Sequence, residues 1–88
     1  MTPEQIVTAL DRYIGEFKVK PSRFDATYIN PTAAEILSHC HWMAIEAKSF
    51  AATKPAKAMR WLCFIQGALW AEGNRSIEEF KADNRSEE

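Results

Sequence analysis

From Pro55 to Gly73 the sequence reads as a helix that is apolar on nearly every side, and this limits the possible folds more than any other feature. Ala58, Trp61, Leu62, Ile65, Ala68 and Leu69 recur at three- and four-residue steps and form one stripe. Met59, Cys63, Phe64, Trp70 and Ala71 occupy the rest of the circumference. A helix of this kind must be enclosed on several sides. The chain has 88 residues, enough for one domain. A domain of this size buries only about 60% of its unfolded surface. Yet 47% of the residues are hydrophobic, including three Trp and five Phe, which is more than a minimal bundle hides. The imbalance predicts a homo-oligomer.

Two further helices announce themselves by their starts. Thr2 caps, Pro3 suits a first turn, and Gln5 stands where a capping box places its amide. Ile6, Leu10, Tyr13, Ile14 and Phe17 then share one face, predicting a helix over 3–18, with Arg12 and Glu16 pairing across one turn. Asn30 and Pro31 read as the cap and first turn of the next helix, over 31–52. Its stripe is Ala33, Ile36, Leu37, Cys40, Met43, Ala44, Ala47, Phe50 and Ala51. Trp42 falls on the opposite side, with Ile45 displaced toward it, so either the first helix or another subunit should cover Trp42.

Thr53, Lys54 and Pro55 make a short break, so the helices over 31–52 and 55–72 should form an antiparallel hairpin. Gly73 and Asn74 stop the second arm. Ser76 and Glu79 then form a capping box for a short helix over 77–83, anchored by Ile77 and Phe80. The expected architecture is an all-α helical bundle, one domain over 1–84, with 85–88 a disordered tail. The long connection from Val19 to Pro31 carries Phe24, Tyr28 and Ile29, so it should fold back and pack, with Ser22 and Asp25 able to start one helical turn.

A formal net charge of −1 argues against general nucleic-acid binding, which needs a basic face. The opening residues are polar, without a signal peptide, and the apolar run from Trp61 to Ala71 is shorter than the roughly 20 residues of a membrane span. A reducing cytoplasm is expected, and the two cysteines, Cys40 and Cys63, read as small buried hydrophobes facing each other across the hairpin. His39 and His41 are two apart and point roughly 160° away from each other on a helix, so no metal site is expected. Gly15, Gly67 and Gly73 are too scattered to cradle a phosphate. Neither thiol has a glycine-rich elbow beside it. The expectation is no enzyme and no cofactor.

What remains is a set of cations among aromatics. Lys57, Arg60, Trp61 and Phe64, with Arg23 and Tyr28 from the connection, form the candidate binding set. Trp and Arg are favoured anchors in protein interfaces, and the same types stack on and pair with nucleotides. Trp42, Ile45, Phe64, Gly67 and Trp70 form the candidate oligomer interface, where Gly67 permits a close helix approach.

Three blocks, Leu37-Ser38-His39-Cys40-His41-Trp42-Met43, Lys57 to Trp70 and Ser76 to Lys81, resemble a group of short helical proteins of tailed bacteriophages and prophages. Where Cys63 stands, the group leads one to expect glycine. The resemblance implies no activity and no functional residues. It does imply a viral accessory protein acting in the bacterial cytoplasm, where such proteins bind and modulate host proteins. A looser architectural analogy, to phage anti-defence hairpins whose oligomers sequester cyclic nucleotides, implies a small anionic nucleotide ligand as the alternative. A structural or virion-assembly factor is a further alternative.

Overall fold

Each of the first two helices starts where a threonine side chain replaces a missing backbone partner. In the computed structural model, which describes residues 1–25, 27 and 29–84, α1 runs Pro3–Glu16 and α2 runs Ala33–Phe50. The Thr2 hydroxyl accepts from the Gln5 N–H at 3.2 Å, and the Gln5 amide oxygen accepts from the Thr2 N–H at 2.7 Å. Thr32 and Glu35 repeat this reciprocal pair at 3.2 and 2.8 Å. The cap of α2 is therefore Thr32 and not the expected Asn30. Asn30 instead sits at φ +57°, a left-handed conformation that Asn tolerates and that does not lead into a helix. Being followed by Pro31, it is also held out of the helical region. Replacing Thr32 with Ala should cost about 1 kcal/mol in urea unfolding. Unchanged stability would show that α2 does not depend on this cap.

The hairpin is as expected. Thr53 and Lys54 donate to the Phe50 carbonyl, and α3 runs Pro55–Ala71. It ends at Gly73, whose φ of +73° lets Asn74 donate back to Leu69 at 2.8 Å. Ser76 and Glu79 cap α4, Ile77–Asp83, over the range expected. The helix α1 is shorter than expected, because Phe17 turns extended while its N–H still reaches Tyr13. All secondary structure among the described residues is helical. None of these helices is long and apolar enough to cross a membrane. Residues 85–88, expected as a disordered tail, lie outside the described set.

The core is the shared seam of three helices: Ile6, Leu10 and Tyr13 from α1, Cys40, Met43, Ala44 and Ala47 from α2, and Leu62, Ile65 and Leu69 from α3. Ala44, Ala47, Ala51 and Ala58, all fully buried, keep the α2–α3 seam narrow. Ala33, expected on the stripe of α2, is exposed, while Ile36 and Leu37 are half-buried.

One end of this core is polar. Gln66 lies buried in α3 and donates from Nε2 to the Tyr13 hydroxyl at 2.9 Å and to Asn84 Oδ1 at 2.6 Å. The Tyr13 hydroxyl donates in turn to Asp83 at 2.7 Å. Asp83 also receives Arg75 at 2.8 Å and Arg12 at 3.0 Å, and Arg75 reaches Glu16 at 2.8 Å. The expected local pair of Arg12 with Glu16 is thus replaced by two long-range pairs, Arg12 with Asp83 of α4 and Glu16 with Arg75 just before that helix. Burial first, and then the Asp83 carboxylate, keep the Tyr13 phenol protonated well above its ordinary range.

Candidate binding groove

His39 and His41 project to opposite sides of α2, as their spacing requires, and each holds part of the strap formed by residues 17–25. The His41 Nδ1 lies 2.8 Å from the Val19 carbonyl. A carbonyl only accepts, so this nitrogen carries the hydrogen. The imidazole stacks on Phe17, with centroids 4.9 Å apart. His39 does the reverse: its Nδ1 accepts from the Phe24 N–H at 3.1 Å, and Phe24 lies flat on the ring at 4.6 Å. Ser22 adds a backbone bond to the Ser38 carbonyl at 3.0 Å. The expected helical turn at Ser22 and Asp25 does not form; Asp25 accepts instead from the Thr27 N–H and hydroxyl. Both histidines are half-buried, and each clamps the strap onto α2.

Clamping the strap builds a ladder of rings. Phe24 stacks on His39, His39 on Trp42 at 5.6 Å, Trp42 leans on Trp61 at 5.9 Å, and Trp61 meets Phe50 edge-on at 5.1 Å. Two cations close the ladder. The Arg23 guanidinium sits 5.3 Å over Trp42, and Lys57 Nζ sits 4.8 Å from the Phe50 ring and 5.4 Å from that of Trp61. Trp42 is therefore covered by Trp61 of α3 and by Arg23 of the strap, and neither by α1 nor through an unpartnered face.

Between strap, α2 and α3 lies an open groove of about 750 Å³. Ile36, Trp42, Met43 and Trp61 line it from one side and Phe64, Gly67 and Ala68 from the other, with Arg23, Asp25 and Glu72 as its charged residues. Of the candidate binding residues, Arg23, Trp61 and Phe64 meet here. Lys57 lies off the lining but touches the same ring ladder, and Arg60 is exposed elsewhere on α3. Tyr28 lies outside the described residues. Two carboxylates against one guanidinium give the groove a slight negative balance, so it does not converge cations on a phosphate.

The interface candidates divide. Phe64 is 59% exposed and Trp70 56% exposed, and both stand with exposed Gly67 on the outer side of α3. Ile45 is 41% exposed on α2, away from the groove lining. Cys63 is exposed on that same outer side, so it is not the buried hydrophobe expected and does not face Cys40 across the hairpin. Cys40 alone is buried, and burial, with Glu72 nearby, pushes its thiol up to about 11. A thiol held protonated is a poor nucleophile. Among the described residues no group of three His, Cys, Asp or Glu side chains is placed to hold a metal ion. Searches of family models, curated proteins and solved structures give no match for this chain.

Proposed function

We propose that this chain is a non-enzymatic phage accessory protein that binds a protein of its bacterial host in the cytoplasm, as a homo-oligomer, and modulates or inhibits that protein. The observation that carries this reading is the groove. Trp, Phe, Met and Arg are the residue types enriched at protein–protein interfaces, and here they converge on one concave surface with a charged rim. Arg23 and Lys57 lie over aromatic faces, which holds two long flexible side chains in place before any partner arrives. The balance of charge speaks for a protein side chain as occupant and against a phosphate. The nucleotide-sponge alternative would need Lys57 and Arg60 gathered into the groove.

The test is affinity capture from bacterial lysate with wild type and with Arg23→Glu, an exposed substitution on the groove rim. The expected result is one host protein retained in stoichiometric amount by wild type and lost, by about tenfold or more in affinity, from the variant; one hot-spot contact of about 1.4 kcal/mol gives that factor. Retention that is indifferent to Arg23→Glu would move the site elsewhere. Thermal stabilisation by cyclic nucleotides, with no protein retained, would replace this reading by the sponge.

A further inference from the structure

The outer side of α3, which includes the Phe64 and Gly67 wall of the groove, leaves Phe64 and Trp70 exposed, and its arrangement is self-complementary. Six residues, Arg60, Cys63, Phe64, Gly67, Trp70 and Ala71, are exposed along it. At about 100° per residue, Gly67 marks the centre of this face, with Phe64 about 60° to one side and Trp70 about 60° to the other. The two aromatic residues lie three positions before and three after that centre. Below them run small residues at four-residue steps: Cys63, Gly67, Ala71.

We infer that α3 packs against α3 of a second copy of this chain, antiparallel, about a two-fold axis at Gly67. Under that axis, a residue n positions before Gly67 comes level with the residue n positions after it on the partner. Phe64 of one copy then lies level with Trp70 of the other, on the opposite flank of the seam, and over the partner's Ala68 and Ala71, at the edge of the groove. Trp70 lies over Cys63 across the axis. Large residues meet small ones on both sides, which is the condition for close helix packing. A Cβ at Gly67 would have nothing within 4 Å in the protomer, so the space above it is free for the partner backbone.

Charge points to the same register. Neither Arg60 nor Glu72 has an ion-pair partner among the described residues. The antiparallel pairing sets Arg60 of each copy level with Asn74 of the other, two positions along the axis from the partner's Glu72, twice per dimer. A parallel pairing would set Arg60 against Arg60. The isologous contact also explains why Phe64 and Trp70 are left in water by the single chain. This inference specifies the oligomer named in the reading above. A dimer that captures no host protein, or a monomer that captures one, would tell the two failures apart.

Light scattering at micromolar concentration should give twice the 10.0 kDa chain mass. Gly67→Lys should return it to the chain mass with the helical circular dichroism signal intact, since nothing in the protomer opposes a side chain there. Register is read by cross-linking. Cys63 of the two copies would lie about 12 Å apart along the axis, eight residues at about 1.5 Å each, beyond the roughly 7 Å limit for a disulfide. Position 71 of one copy lies level with Cys63 of the other. Diamide should therefore link Ala71→Cys into a covalent dimer at least about tenfold faster than wild type. A wild type at the chain mass, a mass indifferent to Gly67→Lys, or wild type linking as fast through Cys63 would each overturn the inference.

Discussion

Replacing Asp83 with Ala should destabilise the protein by about 3–5 kcal/mol, the range found when one partner of a buried ion pair is removed. The Asp83 side chain is 6% exposed and that of Arg75 11% exposed, so water does not replace what is lost. Four partners depend on this carboxylate or on one another through it: Arg75, Arg12, the Tyr13 hydroxyl and, one bond further, Gln66. The Arg75 Nε is already buried without a partner among the described residues, so the truncated site would leave a second nitrogen of the same guanidinium unsatisfied. A domain of this size holds about 5–15 kcal/mol in all, so the variant should unfold at markedly lower urea. Asp83→Asn keeps an oxygen for the Tyr13 hydroxyl and removes only the charge, so its loss should be clearly smaller. The loss should also be local first. No residue of α4 is fully buried, and Phe80 is its main apolar contact with the core. Hydrogen exchange in Asp83→Ala should show α4 amides opening while those of α2 and α3 stay protected. Equal losses for the Ala and Asn variants, or losses under about 1 kcal/mol, would mean that the network is solvated and weak.

The helices themselves are local matters, and the sequence carries them plainly. The capping residues and three- to four-residue periodicity place α1, the hairpin and α4, with ends within two or three residues, because each signal lies within one turn of the structure it specifies. The cap of α2 is where a local signal misleads: Asn30 before Pro31 reads as the start, and the Thr32–Glu35 pair displaces it. The groove was half legible. Arg23, Trp61 and Phe64 stand out as cations and aromatics near helix surfaces, but nothing local says that they meet. The clamps were not legible at all. Whether His39 accepts or donates depends on which strap residue lies over it, fifteen positions back in the chain. Gln66 gives no signal for the same reason, since a single amide within an apolar run reads as a flaw until Tyr13 and Asn84 are placed beside it. Trp42 shows the same limit: periodicity alone sets it opposite the stripe of α2, yet it packs against the core, covered by Trp61 of α3 and by Arg23 of a strap whose path no periodicity describes.

The strap should loosen in acid through His39 and not through His41. His39 Nδ1 accepts from the Phe24 N–H, so a proton on that nitrogen abolishes the bond and sets two donors against each other. Burial first, and then the neighbouring Arg23 charge, hold the imidazole pKa below its ordinary 6.5. The sign follows from linkage. The unfolded chain binds this proton more readily than the folded one, so the stabilisation is fully present above pH 6.5 and is lost as pH falls through the lower folded value. Other charges near the groove temper the effect: Arg23 opposes protonation, while Asp25 from the strap and Glu72 from α3 favour it. His41 carries its hydrogen toward the Val19 carbonyl, and a second proton on Nε2 leaves that bond in place. The Phe24 amide resonance should therefore move with a midpoint below pH 6.5, accompanied by a change in Trp42 fluorescence, because Trp42 stacks on the same imidazole. His39→Asn places a non-titrating oxygen near the Nδ1 position and should keep the strap closed at all pH values between about 4 and 8, outside the ordinary histidine range on both sides. His41→Asn should leave the titration of Phe24 unchanged. If the Phe24 amide shows no titration in wild type, or still titrates in His39→Asn, the strap is held by something other than this bond.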